Sequence, residues 1–486
     1  MSGFAQKAKR LRNTACTAFA LSAVSLLATE ARADTYRIVP TLTVEQLLTD
    51  NVRVSQSDRD ADAVTTVKAA VDGTIITDRA QALIAAEINY DEFWFTDDLD
   101  NLDGSGIAAG RLGLFRDLLF VDGLVESRIE FFDTAGQSAA GLPTGRDQAR
   151  VSNYEISPFI QTDIFNFADV LLRARYARAF FDEPVVGLIP GDLPDDATTY
   201  EGSGLISTGD RIALYELLLS GEHIEDDNDF ESDNIVGGLI WHMTPRFDAI
   251  GHLGYEKIFQ PTFDEIKGTI WSAGGRYRFG RQSDFHLEFG ERFDDNSWLG
   301  DLNLVFGRHI AVRGHYVDSI QTAQASVSRS YEDLLDQEGS PSVGTPTGPF
   351  LPDPSIPDET FRERSIIAEA TYTLGLRHVS LGAQHRQRDI LSNNDQERTI
   401  SAYADYYEQL THDLGYQVQL GYYETLEALQ LKSESTTAYV RTEAYYQFLP
   451  DMKFKAGYNW QKDYLKDGTA IPQNILRFSV EKTFDW

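Results

Sequence analysis

Nine histidines stand at positions 223, 242, 252, 286, 309, 315, 378, 385 and 412, and they are the first residues to test for proton transfer or metal ligation. They form no HExxH or His-x-His pattern, and the chain holds no GxSxG elbow, phosphate loop or CxxC pair. A site assembled near the rim of a membrane barrel would leave no local motif, so a barrel enzyme or an adhesin stays open as a third reading. Acidic runs invite a metal reading: Asp58, Asp60 and Asp62 alternate, Asp97, Asp98, Asp100 and Asp103 cluster, and Asp226, Asp227 and Asp229 follow. Oxygen ligands suit Ca²⁺, yet the first series lacks the Gly and the distal Glu of a helix-loop-helix calcium loop. The expectation is solvated acidic loops, with divalent ions bridging weakly to lipid A phosphates, no dedicated metal site and no cofactor.

A second set of residues carries charge at a spacing of two or on polar strand faces: Arg173 and Arg175, Arg276 and Arg278, Arg386 and Arg388, with Arg441 and Arg477. Glu369, Asp405, Glu443 and Glu481 share such faces, and so do Tyr403, Tyr423 and Tyr439. On a strand, alternate side chains point the same way. These residues then either form ladders of ion pairs that stiffen a wall, or line a polar track for a hydrated solute, with the tyrosines as flat faces on which it can stack. Both can hold together, since charge rings also tune pore selectivity.

The elements that would position them show the same period. In the last strand Leu476, Phe478, Val480, Phe484 and Trp486 fall on one face, and Arg477, Ser479, Glu481, Thr483 and Asp485 on the other, with Lys482 the only break in the apolar face. Upstream, Leu414, Tyr416, Val418, Leu420 and Tyr422 alternate with Gly415, Gln417, Gln419, Gly421 and Tyr423. A soluble sandwich and a transmembrane barrel could both use such strands. Strand length decides for the barrel, because these stretches suit the roughly nine to eleven residues of a tilted bilayer-crossing strand rather than the usual five or six. Aromatics near strand ends, Tyr90, Phe93 and Trp94 or Tyr445, Tyr446 and Phe448, suit an interfacial girdle.

Short turns such as Thr244-Pro245-Arg246 alternate with longer loops, for which Gly221 to Asp233 and Gln321 to Thr360 are the examples. That asymmetry matches short periplasmic turns and long outer loops. Starting from Thr41 to Leu48 and ending at Asn474 to Trp486, eleven hairpins give an all-β, antiparallel up-and-down barrel of 22 strands, within a range of 18 to 22. The weakest strand lies between Thr198 and Ser207, and the Pro- and Gly-rich Gly339 to Pro357 must be an outer loop or a plug.

The N-terminus sets the compartment. Lys7, Lys9, Arg10 and Arg12 precede an apolar run from Ala15 to Ala28, and Ala31-Arg32-Ala33 follows, as in a secretory signal cleaved between Ala33 and Asp34. The expected domains are therefore 1–33 as signal and 34–486 as barrel, with the long outer loop at about 321–360. Cys16, the single cysteine, leaves with the signal, and loss of five basic residues and one Glu moves the net charge from −32 to −36. Nucleic acid is excluded as a partner. Outer-membrane lipid is the expected surroundings, in a Gram-negative bacterium, and Phe478, Phe484 and Trp486 are the expected insertion signal for the barrel assembly machinery.

Several short stretches resemble one bacterial family: Thr49-Asp50-Asn51, Asn89-Tyr90, Asp117-Leu118-Leu119-Phe120-Val121-Asp122, Ser157-Pro158-Phe159, Gly254-Tyr255-Glu256 and the Pro-rich loop ending at Phe361. Over most of the mature chain the sequence resembles the outer-membrane beta-barrel proteins of exopolysaccharide and PEP-CTERM loci, related to the beta-barrel porin 2 group. The resemblance implies a conduit for exopolysaccharide secretion, supplied by a periplasmic polysaccharide-export protein, in which a hydrated glycan slides along the polar track with Tyr403, Tyr423 and Tyr439 stacking on sugar faces, and it implies no catalytic residues. A general diffusion porin, or small-solute channel, is the alternative with the same fold.

Overall fold

The computed structural model describes residues 35–55, 59–96, 99–115, 118–131, 148–165, 167–182, 195–327, 359–393, 395–428 and 434–484. Ala33, Asp34, Asp58, Asp97, Asp98, Asp485, Trp486 and most of the Gln321 to Thr360 segment lie outside them.

Twenty-two strands follow one another: β1 Thr35–Thr49, β2 Asp62–Ile76, β3 Ala80–Phe93, β4 Asn101–Phe115, β5 Leu119–Phe131, β6 Gln148–Ile164, β7 Ala168–Asp182 and β8 Ala197–Ser207. Then come β9 Tyr215–Asp226, β10 Glu231–Thr244, β11 Phe247–Gln260, β12 Phe263–Gly280, β13 Ser283–Arg292, β14 Asp295–Phe306 and β15 Ile310–Gln321. The short helix α1 Ala323–Val327 is followed by β16 Phe361–Leu374, β17 Arg377–Ile390, β18 Gln396–Gln409, β19 Leu414–Glu427, β20 Ser435–Leu449, β21 Met452–Leu465 and β22 Ala470–Thr483. Each strand pairs antiparallel with its neighbours in sequence, and β1 pairs with β22 from Thr41 opposite Thr483 to Thr49 opposite Ile475. The sheet therefore closes into an up-and-down barrel with no free edge, the condition a strand-built wall must meet in hydrocarbon, where an unpaired N–H or C=O finds no water. The weak strand between Thr198 and Ser207 is present as β8.

Strands of 10 to 18 residues alternate exposed apolar and enclosed polar side chains. On β22, Leu476, Phe478 and Val480 face outward, while Arg477 and Ser479 are buried on the inner side. The outer face carries many of the aromatics, among them Trp241, Trp271, Trp298 and Phe484. Two girdle expectations change: Phe93 is buried with Leu47, Val64 and Ile475 at the inner seam of the closure, and Tyr445 also points inward, over Gly415.

At one end of the barrel all connections are short: 77–79, 116–118, 165–167, 208–214, 245–246, 281–282, 307–309, 375–376, 410–413 and 450–451. The other end carries 50–61, 132–147, 183–196 and 322–360. Gly221 to Asp233 is not one of its long loops. It is strand up to Asp226 and again from Glu231, joined by a tight turn in which the Asp226 carboxylate accepts from the N–H groups of Asn228 and Phe230. Two more connections at this end, 261–262 and 293–294, are two-residue hairpins, and Phe293 and Asp294 take φ of 57° and 56°, the left-handed conformation that fits the twist of paired strands. The wall from β9 to β14 is therefore low at the long-loop end.

The described root of the long segment reaches inward. After β15, the Gln324 amide donates to the backbone oxygen of Asp195 at 2.9 Å, in the β7–β8 connection, and the Thr360 hydroxyl donates to Gln260 at 2.5 Å.

Candidate functional site

The inner wall is where the side chains that could handle a solute converge, and strand register decides which of them touch. Arg173 and Arg175 rise from β7. Arg173 lies 3.6 Å from Asp122 and 4.7 Å over the ring of Phe159, whose other close cation is Arg111, at 4.8 Å. Arg111 grips the fully buried Asp122 with two hydrogen bonds of 2.7 and 2.9 Å. Arg175 bridges two strands, 3.0 Å from Glu155 and 3.2 Å from Glu201.

On the opposite arc Arg386 and Arg388 share Glu363 at 3.4 and 2.9 Å, and Arg388 also meets Glu397 at 3.4 Å. Arg441 lies 3.6 Å from Glu443, Glu481 accepts from Lys455 at 2.8 Å, and Asp405 accepts from Gln417 at 2.7 Å. Arg477 crosses the seam to Glu45 on β1 at 3.3 Å. Glu369 stands opposite Arg313 in the β15–β16 ladder.

Arg276 and Arg278, two residues apart on β12, have different fates. Arg278 binds the buried Asp248 at 2.6 Å, and His242 takes the same carboxylate at 2.9 Å. Arg276 faces Asp248 in the register but forms no ion pair among the described residues, and its buried Nε has no partner.

The tyrosines sit against glycines. Tyr403 lies across Gly382 and donates to Glu369 beyond it; Tyr439 covers Gly421, and Tyr445 covers Gly415. Each pair is directly cross-strand, and only a residue without Cβ leaves room for a ring laid flat on the wall. Tyr423 and Tyr439 are 3% and 2% exposed, so neither offers a ring face to a sugar, and the stacking role expected of them is withdrawn in favour of wall packing.

A feature invisible in the sequence runs across β11 to β15. Glu288 accepts from His252 at 2.9 Å, Ser272 at 2.5 Å and His286 at 2.7 Å; the other ring nitrogen of His286 faces Asp301 at 3.7 Å, which also holds His315. Three imidazoles and two carboxylates thus alternate along the inner wall. The period-two phase of His286 and Glu288 was available beforehand, but the partners come from strands whose alignment only the register fixes. Ser272, His252 and Glu288 meet here without forming a catalytic triad, because Ser272 and Glu288 share the same Nδ1 edge and no imidazole separates nucleophile from carboxylate.

At the long-loop rim Asp467 accepts from Thr469, which holds its carboxyl below the usual carboxylate range. Among the described residues no group of three or more His, Cys, Asp or Glu is arranged to hold a metal.

A closed 22-stranded antiparallel barrel, apolar outside and polar inside, defines an outer-membrane barrel of the Gram-negative type. The chain is similar to solved structures of OprD of Pseudomonas aeruginosa (11% identity, TM-score 0.36, covering 94% of this chain and 97% of that one) and OccAB3 of Acinetobacter baumannii (11%, 0.40, 93% and 99%). The ferric-catecholate import receptor Fiu of E. coli K12 superposes with a TM-score of 0.53 at 8% identity, over 94% of this chain and 82% of Fiu. At that identity the likeness to Fiu shows the fold. No protein-family model matches the sequence, and no curated protein matches it.

Proposed function

We propose that the barrel is a conduit that carries exopolysaccharide across the outer membrane, delivered on the periplasmic side by a polysaccharide-export protein, with the short turns facing the periplasm. It is not an enzyme in this reading. The observation that carries the reading is the inner wall: charged and amide side chains line it, and most of its charges are neutralised locally by a neighbour on the same or the next strand. Arg175 between Glu155 and Glu201 is the model for the rest. Such a surface offers hydrogen bonds along its length and few strong traps, which suits a hydrated chain that must keep sliding. Barrels of about 16 to 18 strands already enclose an aqueous channel, and this wall has 22.

Deletion of the gene tests it: surface or secreted polysaccharide should disappear while cytoplasmic synthesis continues. Normal polysaccharide output, together with altered uptake of small solutes, would refute the export reading.

One observation favours the second reading, a diffusion channel. The root of the 322–360 connection bends inward, with Gln324 bound to the β7–β8 connection, as a segment that narrows a pore would. Liposome-swelling rates for sugars of increasing size separate the two, since a narrowed pore cuts off sharply at small solutes.

A further inference from the structure

We infer that the short-turn mouth of the barrel is an anion-capturing site, and that the cargo it admits is a polyanion, a glycan bearing carboxylate, phosphate or sulfate groups. The inference rests on the conduit reading and adds the substrate class.

Over the arc from β10 to β15 the short-turn end is basic, against the chain's overall acidity of −32, while the acids of that end, Asp78, Asp210, Asp413 and Asp451, stand in other turns. The short-turn end carries Arg246, Arg281 and Arg308, one in each of three consecutive connections at that end: 245–246, 281–282 and 307–309. All three side chains are exposed, and none has an ion pair among the described residues. Arg79, in the 77–79 turn, is likewise exposed but stands beside Asp78 and away from this arc, whereas Arg211 is held by Asp163 and Asp169, and Arg377 lies 2.7 Å from Glu408. With two strands between neighbouring turns, the three guanidinium groups are spaced by roughly 10 Å along the rim. That is within reach of successive charges on a polyanion.

The unpaired charge continues into the lumen. Arg276, an inward guanidinium without an ion pair among the described residues, sits just above the Arg246 and Arg281 turns. Arg278 beside it receives a backbone contact from the same place, donating its N–H to the oxygen of Arg246 at 2.7 Å. The carboxylates near this group are Asp248, already shared by Arg278 and His242, and Asp284, opposite Arg278. Neither forms an ion pair with Arg276 or with the three rim arginines among the described residues.

The other end has the opposite sign. Its described connections hold Asp60, Asp100, Asp195, Asp227, Asp229 and Asp395, with few cations among them. A polyanion is thus drawn to one mouth and repelled at the other, so the field opposes re-entry from the long-loop side. For a neutral glycan this polarity would do nothing. Inner-leaflet phospholipid would explain the rim, but not Arg276 inside the wall.

The test is single-channel recording of the full mature barrel, with sidedness assigned by PEG-maleimide at Asp78→Cys in the first short turn. Oligogalacturonate added on the short-turn side should block current at a concentration about tenfold below that of a dextran of equal length, by the sum of three exposed ion pairs. It should block weakly from the long-loop side. The variant Arg246→Glu/Arg281→Glu/Arg308→Glu, all at exposed turn positions, should lose the preference while keeping the heat-modifiable mobility of a folded barrel, and Arg276→Gln should lose part of it.

Equal block by dextran and oligogalacturonate, or equal block from both sides, would overturn the inference. So would an unaltered preference in the triple variant, or a triple variant whose one defect is weaker association with phosphatidylglycerol vesicles, which would assign the rim to lipid. The deletion strain is independent: a strain that still exports polysaccharide while the sided block persists removes the export reading and leaves the anion site. Lost export without anion preference does the reverse.

Discussion

Replacing Gly421 with Ala should destabilise the barrel by displacing Tyr439, although the change adds one methyl group to a wall position. A Cβ on Gly421 would fall inside the van der Waals envelope of the Tyr439 ring, at Cε1, Cζ and Oη together, so the ring must lift away. Tyr439 is 2% exposed, and an aromatic side chain buries about 150–250 Å². Exposing roughly half of that at about 25 cal/mol per Å² costs about 2–3 kcal/mol. The assay is urea unfolding of the refolded barrel, read from the heat-modifiable mobility of its folded form. A double-mutant cycle makes the argument specific: in a Tyr439→Ala background the methyl group has nothing to strike, so Gly421→Ala should be nearly neutral there. A Gly421→Ala single variant within about 0.5 kcal/mol of the parent, or strict additivity with Tyr439→Ala, would show that the ring does not rest on the glycine.

Arg278→Ala should cost about 3 kcal/mol in the same urea assay, because it leaves the buried Asp248 with His242 alone, whereas Arg276→Ala strands no carboxylate and should refold normally; equal losses would refute the pairing. Glu288→Ala removes the acceptor shared by His252, His286 and Ser272 and should lower stability by about 2 kcal/mol or more, with Glu288→Gln intermediate, and a neutral alanine variant would show the cluster to be solvated. A cysteine at Asp227, in the β9–β10 turn, should react with an impermeant maleimide in intact cells, and one at Asp78 only after the outer membrane is permeabilised; the reverse pattern would invert the topology. Removing residues 484–486 should yield a protease-sensitive periplasmic chain, and a normal yield of folded barrel would show that the terminal aromatics are dispensable for assembly.

Much of the architecture was legible because side-chain direction on a strand is a local property. The alternation of Leu476, Phe478 and Val480 with Arg477, Ser479 and Glu481 needs no partner strand to be read, and these residues lie on the faces the alternation assigns. Strand boundaries were less secure: β1 begins at Thr35 rather than Thr41, and β22 spans Ala470–Thr483 rather than starting at Asn474. The run of acids around Asp226 read as a loop, because a strand that ends in a tight carboxylate-capped turn has the composition of a loop.

What each inward side chain meets was decided only by the tertiary structure. Arg477 and Glu45 lie at opposite ends of the chain and touch because the sheet closes on itself; Arg276 and Arg278 share a spacing, a strand and a face, yet one has a carboxylate and the other none. Tyr439 was expected at a sugar and lies on a glycine, and His252, His286 and His315 read as isolated until the ladder set them beside Glu288 and Asp301. The physical reason is that a strand's period of two is fixed by its own backbone. Its register against a neighbour depends on every turn and on the closing pair, and a shift of one residue would exchange all of these partners.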